Sequence, residues 1–255
     1  MLTGAAAGFA AGLFGVGGGL IIVPVLYTVF SAQGYDQNHL MHVALATSLA
    51  TIVFTSISST LAHHKKRAVL WPAVYILSPG IIAGAWLGGI YASSLDNKIL
   101  TLVFAIFELL VAISLLLKKQ PERHQTNIHK PLAAAGGTII GFVSSIVGIG
   151  GGTMTVPFLH YFNISMHKAV ATSAACGLPI ALSGTLSYIY AGWGKELSIP
   201  ATVGYLQLHA LFMIDICSFL LAPLGARVAH SISEKKLRLG FSFILLLLSL
   251  SMFMK

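Results

Sequence analysis

Two acidic side chains stand inside long apolar runs: Glu108 at the centre of 99–117, and Asp215 in the middle of 197–226, near His209. A charged group in hydrocarbon is costly, and intramembrane carboxylates often serve as proton relays. A hydrogen-bonded structural contact explains each residue equally well, and both readings stand. Glycine carries more of the chemistry. Gly15-Val-Gly-Gly-Gly19 and Gly148-Ile-Gly-Gly-Gly152 are each followed four residues later by Val-Pro. Such a cluster breaks a helix and leaves the first amides of the next one without intrahelical partners. With the helix dipole, those amides make a positive end suited to an anion. On this reading Gly17, Gly18, Gly19 and Leu20 meet Gly150, Gly151, Gly152 and Thr153 at the substrate, and the pairs Thr47-Ser48 and Thr172-Ser173 add hydroxyl donors. The competing reading is close helix packing, as in small-xxx-small motifs. A P-loop is excluded, because no Lys-Ser/Thr follows the glycines.

The histidines are less specific. His42 and His167 occupy equivalent places, either as gate groups or as duplicated packing positions. His63, His64, His124 and His129 lie among basic loop residues without metal-site spacing, so neither a metal nor a cofactor is expected. Cys176 and Cys217 both sit in apolar blocks and imply no disulfide framework.

The elements that must position these groups follow from hydropathy. The 255 residues are 56% hydrophobic and only 9% charged, with mean hydropathy +0.86. A soluble domain carries roughly 25% charged residues. The net charge of +8 is therefore read as loop charge at a membrane surface, and no nucleic-acid partner is expected. The stretch from Met1 to Phe30 lacks a basic n-region and does not read as a cleavable signal. Eight apolar blocks emerge: 2–30, 43–62, 69–93, 99–117, 132–162, 169–193, 197–226 and 239–254. Most approximate the ~20 residues that cross a bilayer as helix, and no barrel-like alternation is present. Blocks 2–30 and 132–162 are too long for one span and too short for two.

Those two blocks are copies. Gly8-Phe-Ala-Ala-Gly-Leu-Phe-Gly-Val-Gly-Gly-Gly-Leu-Ile-Ile-Val-Pro-Val-Leu26 aligns with Gly141-Phe-Val-Ser-Ser-Ile-Val-Gly-Ile-Gly-Gly-Gly-Thr-Met-Thr-Val-Pro-Phe-Leu159. Met41-His-Val-Ala-Leu-Ala-Thr-Ser48 aligns with Met166-His-Lys-Ala-Val-Ala-Thr-Ser173. Duplication of this kind is a transporter signature. If both long blocks cross, the halves are parallel and nine Lys/Arg fall inside against six outside. If both are re-entrant, the halves are inverted and the division becomes twelve against three. The positive-inside rule favours the second arrangement. The expected fold is thus an all-α polytopic membrane protein of two homologous halves arranged as inverted repeats. Each half is a Gly-broken re-entrant hairpin plus three transmembrane helices. The first repeat is 1–120, the cytoplasmic linker 121–131 and the second repeat 132–255, with both termini periplasmic.

The doubled Gly-rich motif, with Val23-Pro24 and Val156-Pro157 and with Ala46-Thr47-Ser48 and Ala171-Thr172-Ser173, resembles the TauE/SafE sulfite exporter family over nearly the whole chain. The resemblance implies a bacterial inner-membrane carrier of a sulfur-containing anion such as sulfite, thiosulfate or an organosulfonate. Ser144-Ser145 stands where the first half has Ala11-Gly12, so the two sides of the site need not bind symmetrically. The expected partners are a small anionic substrate and the lipid bilayer, and the protein acts as a monomer or homodimer. No nucleophile with a base is apparent, which argues against an enzyme. A passive anion channel and a metal or cation carrier are the alternatives.

Overall fold

The computed structural model describes residues 18–117, 130–216 and 234–254. Expectations for Gly17 and the rest of the first arm of hairpin 2–30, for 118–129 of the linker, and for 217–233 lie outside the described residues. The helices in chain order are α1 (Gly19–Ala32), α2 (Leu40–Lys65), α3 (Trp71–Ser93), α4 (Asn97–Leu117), α5 (Lys130–Val147), α6 (Gly152–Tyr161) and α7 (Met166–Ala191). Strands β1 (Thr202–Val203) and β2 (Leu206–Gln207) then pair antiparallel. Helix α8 opens at 208 and is described to 216, and α9 spans Glu234–Phe253.

Four of the described helices are long and apolar enough to cross a membrane: α2, α3, α4 and the stretch His167–Ala191 of α7. Their burial pattern fits that solvent. On α4, Leu102, Ile106, Leu110, Ile113 and Leu117 recur at helical spacing and are exposed, while Leu100, Phe104, Glu108 and Ala112 on the other side are buried. Exposed Tyr75 lies near the start of α3, and exposed Tyr91, Tyr190 and Trp193 lie near the ends of α3 and α7, as aromatic belts do. The multi-pass helical membrane architecture therefore stands.

Helix α2 is the centre of the molecule, buried without interruption from Leu40 to Ile52. Its repeat mate α7 runs alongside it in the opposite direction, with Gly184 against Leu49 and Gly177 against Ser56. Helix α3 runs in the same direction as α5. Gly80, Gly84 and Gly88 abut the backbone of Ala134, Thr138 and Phe142 in turn, and a Cβ on any of them would strike a main-chain atom. Small-residue ridges like this allow backbones to approach in lipid.

One end of the bundle gathers the turn after α2, where the Leu70 N–H donates to Thr172 Oγ1 at 3.0 Å. The other end gathers the segments around 36, 95 and 198. There His42 Nε2 meets the Leu95 carbonyl at 3.1 Å, and the Asp36 N–H donates to Ser198 Oγ at 3.0 Å.

The structure corrects one expectation about elements. Block 197–226 is not helical at its start, because residues 202–207 form the β1–β2 hairpin. Pro200, Ala201 at φ 55° and Gly204 at φ 56° keep the chain out of the helical basin until 208. The arms of the second glycine block are unequal. Helix α5 has 18 residues, about 27 Å, whereas α6 has 10 residues, about 15 Å.

Candidate functional site

Helices α1 and α6 begin at Gly19 and Gly152, which are repeat mates. Neither has a side-chain cap. The Ile21 and Ile22 amides both reach the Gly18 carbonyl, at 3.0 and 2.9 Å, and the Thr155 amide reaches the Gly151 carbonyl at 2.7 Å. The amides ahead of them, at Gly19, Leu20, Gly152 and Thr153, belong to the first turn and have no intrahelical acceptor. Gly18 sits in the left-handed region at φ 76°, which L side chains avoid, whereas its mate Gly151 has φ −61°. The two starts are alike in position and different in backbone.

The two glycine breaks touch. A Cβ on Gly19 would lie 2.5 Å from the Gly148 carbonyl oxygen and 3.0 Å from Ile149 Cα. Gly148, at φ 68°, packs on Leu45 and Val23. Its carbonyl accepts a 2.8 Å hydrogen bond from Ser48 Oγ. Gly150 lies beside Ile52, and Gly151 lies between the Ser173 carbonyl, Thr155 Oγ1 and the Gly177 amide. The predicted residues Gly18, Gly19, Leu20, Ser48, Gly150, Gly151, Gly152 and Ser173 therefore converge around the meeting of α1, α6, α2 and α7.

The two threonines of the repeated Ala-Thr-Ser motif perform matching tasks. Thr47 Oγ1 accepts the Gln207 amide at 3.1 Å, and Thr172 Oγ1 accepts the Leu70 amide at 3.0 Å. Gln207 and Leu70 each precede the helix that follows, α8 and α3. Each half thus braces the start of a helix in the other half. Ser173 Oγ instead turns back to the Val170 carbonyl at 2.9 Å.

Among the described residues, several buried hydroxyls around the second break have no partner: Ser144, Ser145, Thr153 and Thr155. Ser144, Ser145 and Thr155 are fully buried. Thr155 was not picked out from sequence. Its signal is present in the repeat alignment, where Thr155 stands opposite Ile22.

The other candidates are scattered. Glu108 is fully buried in α4 with neither carboxyl oxygen partnered among the described residues, one turn beyond Ala105, whose carbonyl accepts Ser249 Oγ at 2.9 Å. Asp215 in α8 is half-buried with Oδ1 unpartnered. The repeat mates His42 and His167 differ. His42 is buried and stacked on Tyr205 with ring centroids 4.9 Å apart, whereas His167 is exposed. Tyr205 also receives Lys195 Nζ at 2.7 Å on its hydroxyl. His39, at the mouth of α2, lies 5.5 Å from His42 between ring centroids, and burial and Lys195 hold its imidazole below the usual range against the opposing pull of Asp36. A cleft of about 250 Å³ lies nearby, with Ile22 and Leu26 of α1, Tyr35, Gln207 and His209 in its wall. Among the described residues, no cluster of three His, Cys, Asp or Glu side chains suits a metal.

The family model "Sulfite exporter TauE/SafE" matches residues 1–252. The chain belongs to the TauE/SafE family. A "Probable membrane transporter protein" of Haemophilus influenzae is 39% identical to this TauE/SafE chain, over 100% of it and 97% of the relative. One from Methanocaldococcus jannaschii is 28% identical over 99% of this chain and 93% of its own length. Another, from Bacillus subtilis, is 28% identical over 75% and 78%. No solved structure matches this member of the TauE/SafE family.

Proposed function

We propose that this chain is a secondary carrier that moves a sulfur-containing anion, such as sulfite, thiosulfate or an organosulfonate, across the bacterial inner membrane. The anion is held near the midplane by the half-helix starts of α1 and α6, with Glu108 and Asp215 as the candidate groups for proton coupling. The observation that carries this reading is the contact of Gly19 with Gly148 and Ile149, which brings two helix breaks together inside the core. Helix N-termini at such breaks attract anionic groups in carriers built from repeats.

The inverted arrangement is supported by the opposed directions of α2 and α7 and by the reciprocal threonine braces. The re-entrant reading of the second glycine block is supported by its ends. Helix α5 starts beside the start of α3, and α6 leads through 162–165 into the start of α7, at the end of the bundle where Thr172 meets Leu70. Lys65, Lys66, Arg67, Lys130 and Lys168 gather at that end and support its cytoplasmic assignment, with both termini periplasmic.

The test is anion flux into proteoliposomes, with sulfite, thiosulfate and a small sulfonate compared with chloride and sulfate, with and without a pH gradient. Saturable uptake selective for a sulfur anion is expected. Flux that follows membrane potential alone would assign a passive channel instead, and no flux of any anion would remove the anion reading of the glycine breaks.

A further inference from the structure

We propose that the side-chain donors to the anion come from the second repeat alone: Ser144 and Ser145 before its glycine break, and Thr153 and Thr155 after it, with Thr155 the residue that most directly serves the α6 half-helix. The proposal rests on the carrier reading above and assigns it a polarity that the duplication conceals.

A buried hydroxyl without a partner is costly, and native structures rarely tolerate several together. Here four of them flank one break of about five residues, and Ser144, Ser145 and Thr155 have no exposed surface at all. Their repeat mates carry no hydroxyl. Ala11 and Gly12 stand opposite Ser144 and Ser145, and Leu20 and Ile22 stand opposite Thr153 and Thr155. Leu20 and Ile22 are themselves buried in the core, so at these two positions α1 carries hydrocarbon where α6 carries hydroxyls.

The geometry at Thr155 supports this choice. Side chains on a helix lean toward its N-terminus, so Thr155 leans over the residue one turn earlier, Gly151. Thr155 Oγ1 lies 3.1 Å from where a Cβ on Gly151 would stand, at the mouth of α6, where the Gly152 and Thr153 amides lack intrahelical acceptors. Ser145 Oγ lies on the far side of the break, 3.0 Å from the equivalent position on Gly184 of α7. Gly184 and Gly177, the glycine beside Gly151, are seven residues apart in α7, which sets the two groups of donors roughly 10 Å apart along the bundle. An anion passing the second break therefore meets hydroxyl donors on both sides of it. All four are neutral, and the nearest atoms around Gly151 and Gly184 include no carboxylate to repel an oxyanion. The left-handed Gly18 against the right-handed Gly151 is a second difference between the breaks.

The experiment uses the full chain in proteoliposomes with sulfite as the probe, read as KM and Vmax, and the detergent-purified protein with and without sulfite, read as Tm. Thr155→Val keeps the shape and removes only the hydroxyl. It should raise KM roughly tenfold with Vmax less affected. It should also leave the Tm of the anion-free protein unchanged or higher, because an unpartnered buried hydroxyl has been removed, and shrink the Tm gain on adding sulfite. Thr155→Ser should restore KM, and the double variant Ser144→Ala/Ser145→Ala should act in the same direction. Ile22→Val, at the mate of Thr155, should leave KM unchanged. Wild-type KM in Thr155→Val and in the double serine variant would overturn the proposal while leaving the carrier intact. So would a fall in anion-free Tm with KM unchanged, which marks a structural hydroxyl, or an equal KM rise in Ile22→Val. Absence of saturable sulfite, thiosulfate and sulfonate uptake by the wild type would overturn the carrier reading and this one with it.

Discussion

Gly19→Ala is the smallest change that tests whether the meeting of the two breaks matters. The added methyl would stand 2.5 Å from the Gly148 carbonyl oxygen and 3.0 Å from Ile149 Cα, both main-chain atoms. Even a close Cα–H···O contact keeps carbon and oxygen about 3.3 Å apart, so the segments must separate by roughly 0.8 Å. Gly148 cannot simply retreat, because Leu45 and Val23 pack against it and Ser48 Oγ holds its carbonyl at 2.8 Å. Overpacking of this kind costs about 1–3 kcal/mol. Gly150→Ala is the internal control. Its methyl would meet only Ile52 Cγ2 at 3.3 Å and Cδ1 at 4.0 Å, side-chain atoms that can turn aside. In detergent, Gly19→Ala should lower Tm by several degrees, and in proteoliposomes it should raise the KM for sulfite at least tenfold. Gly150→Ala should leave Tm nearly unchanged. An equal fall in Tm in the two variants would refute the reasoning, since a contact between the breaks must distinguish a main-chain clash from a side-chain one.

Other single substitutions have expected outcomes as well. Thr47→Val strands the buried Gln207 amide and should destabilise by about 1–3 kcal/mol in a thermal or denaturant melt. Thr172→Val should cost about 1 kcal/mol, because Leu70 is only half-buried and water can replace the hydroxyl, and serine at either position should restore the loss. His39 titrates below its unfolded value of 6.5, so the unfolded chain binds more protons just below that pH. Tm should therefore fall as pH drops below about 6.5 and level off below the folded value, and His39→Gln should flatten that limb in melts between pH 5 and 8. Glu108→Gln keeps size and burial, and should abolish acceleration of uptake by a pH gradient while preserving gradient-free flux; retained acceleration would remove Glu108 from the coupling route.

The broad architecture was legible because a bilayer leaves few options. Apolar runs of the right length must be helices, and the exposed stripe on α4 is the lipid face that such a run requires. The helix starts were legible too, since duplicated glycines mark the same place twice and α1 and α6 begin at equivalent residues. The β1–β2 hairpin was not. Its segment is apolar enough to pass for helix, and only local dihedral constraints around Pro200, Ala201 and Gly204 divert it. The unequal arms were hidden for a related reason: hydropathy sees one continuous run through 132–162, and cannot report where the packing of α5 on α3 ends. The tertiary role of Thr47 and Thr172 was out of reach as well, because their partners lie 160 and 102 residues away.

Those two bonds bear on how the halves can move. Each ties the motif helix of one half to the start of a helix in the other, and each is a single neutral hydrogen bond with a net worth of about 1 kcal/mol. A brace of that size holds register without locking it. The glycine ridge of α3 against α5 is different in kind, because backbone meets backbone at Gly80, Gly84 and Gly88 and sliding would drive main-chain atoms together. Motion that opens the site to one side should therefore carry α3 and α5 as one body, although they come from different halves, and should flex at the Thr47 and Thr172 contacts. Cysteine pairs offer a direct reading. A crosslink between positions 84 and 138 would disrupt the ridge by its own bulk, so the informative pair joins 70 and 172 across the brace. Its oxidation should reduce Vmax reversibly while leaving KM near its unlinked value. Full Vmax in the crosslinked protein would show that the halves transport without parting at that contact.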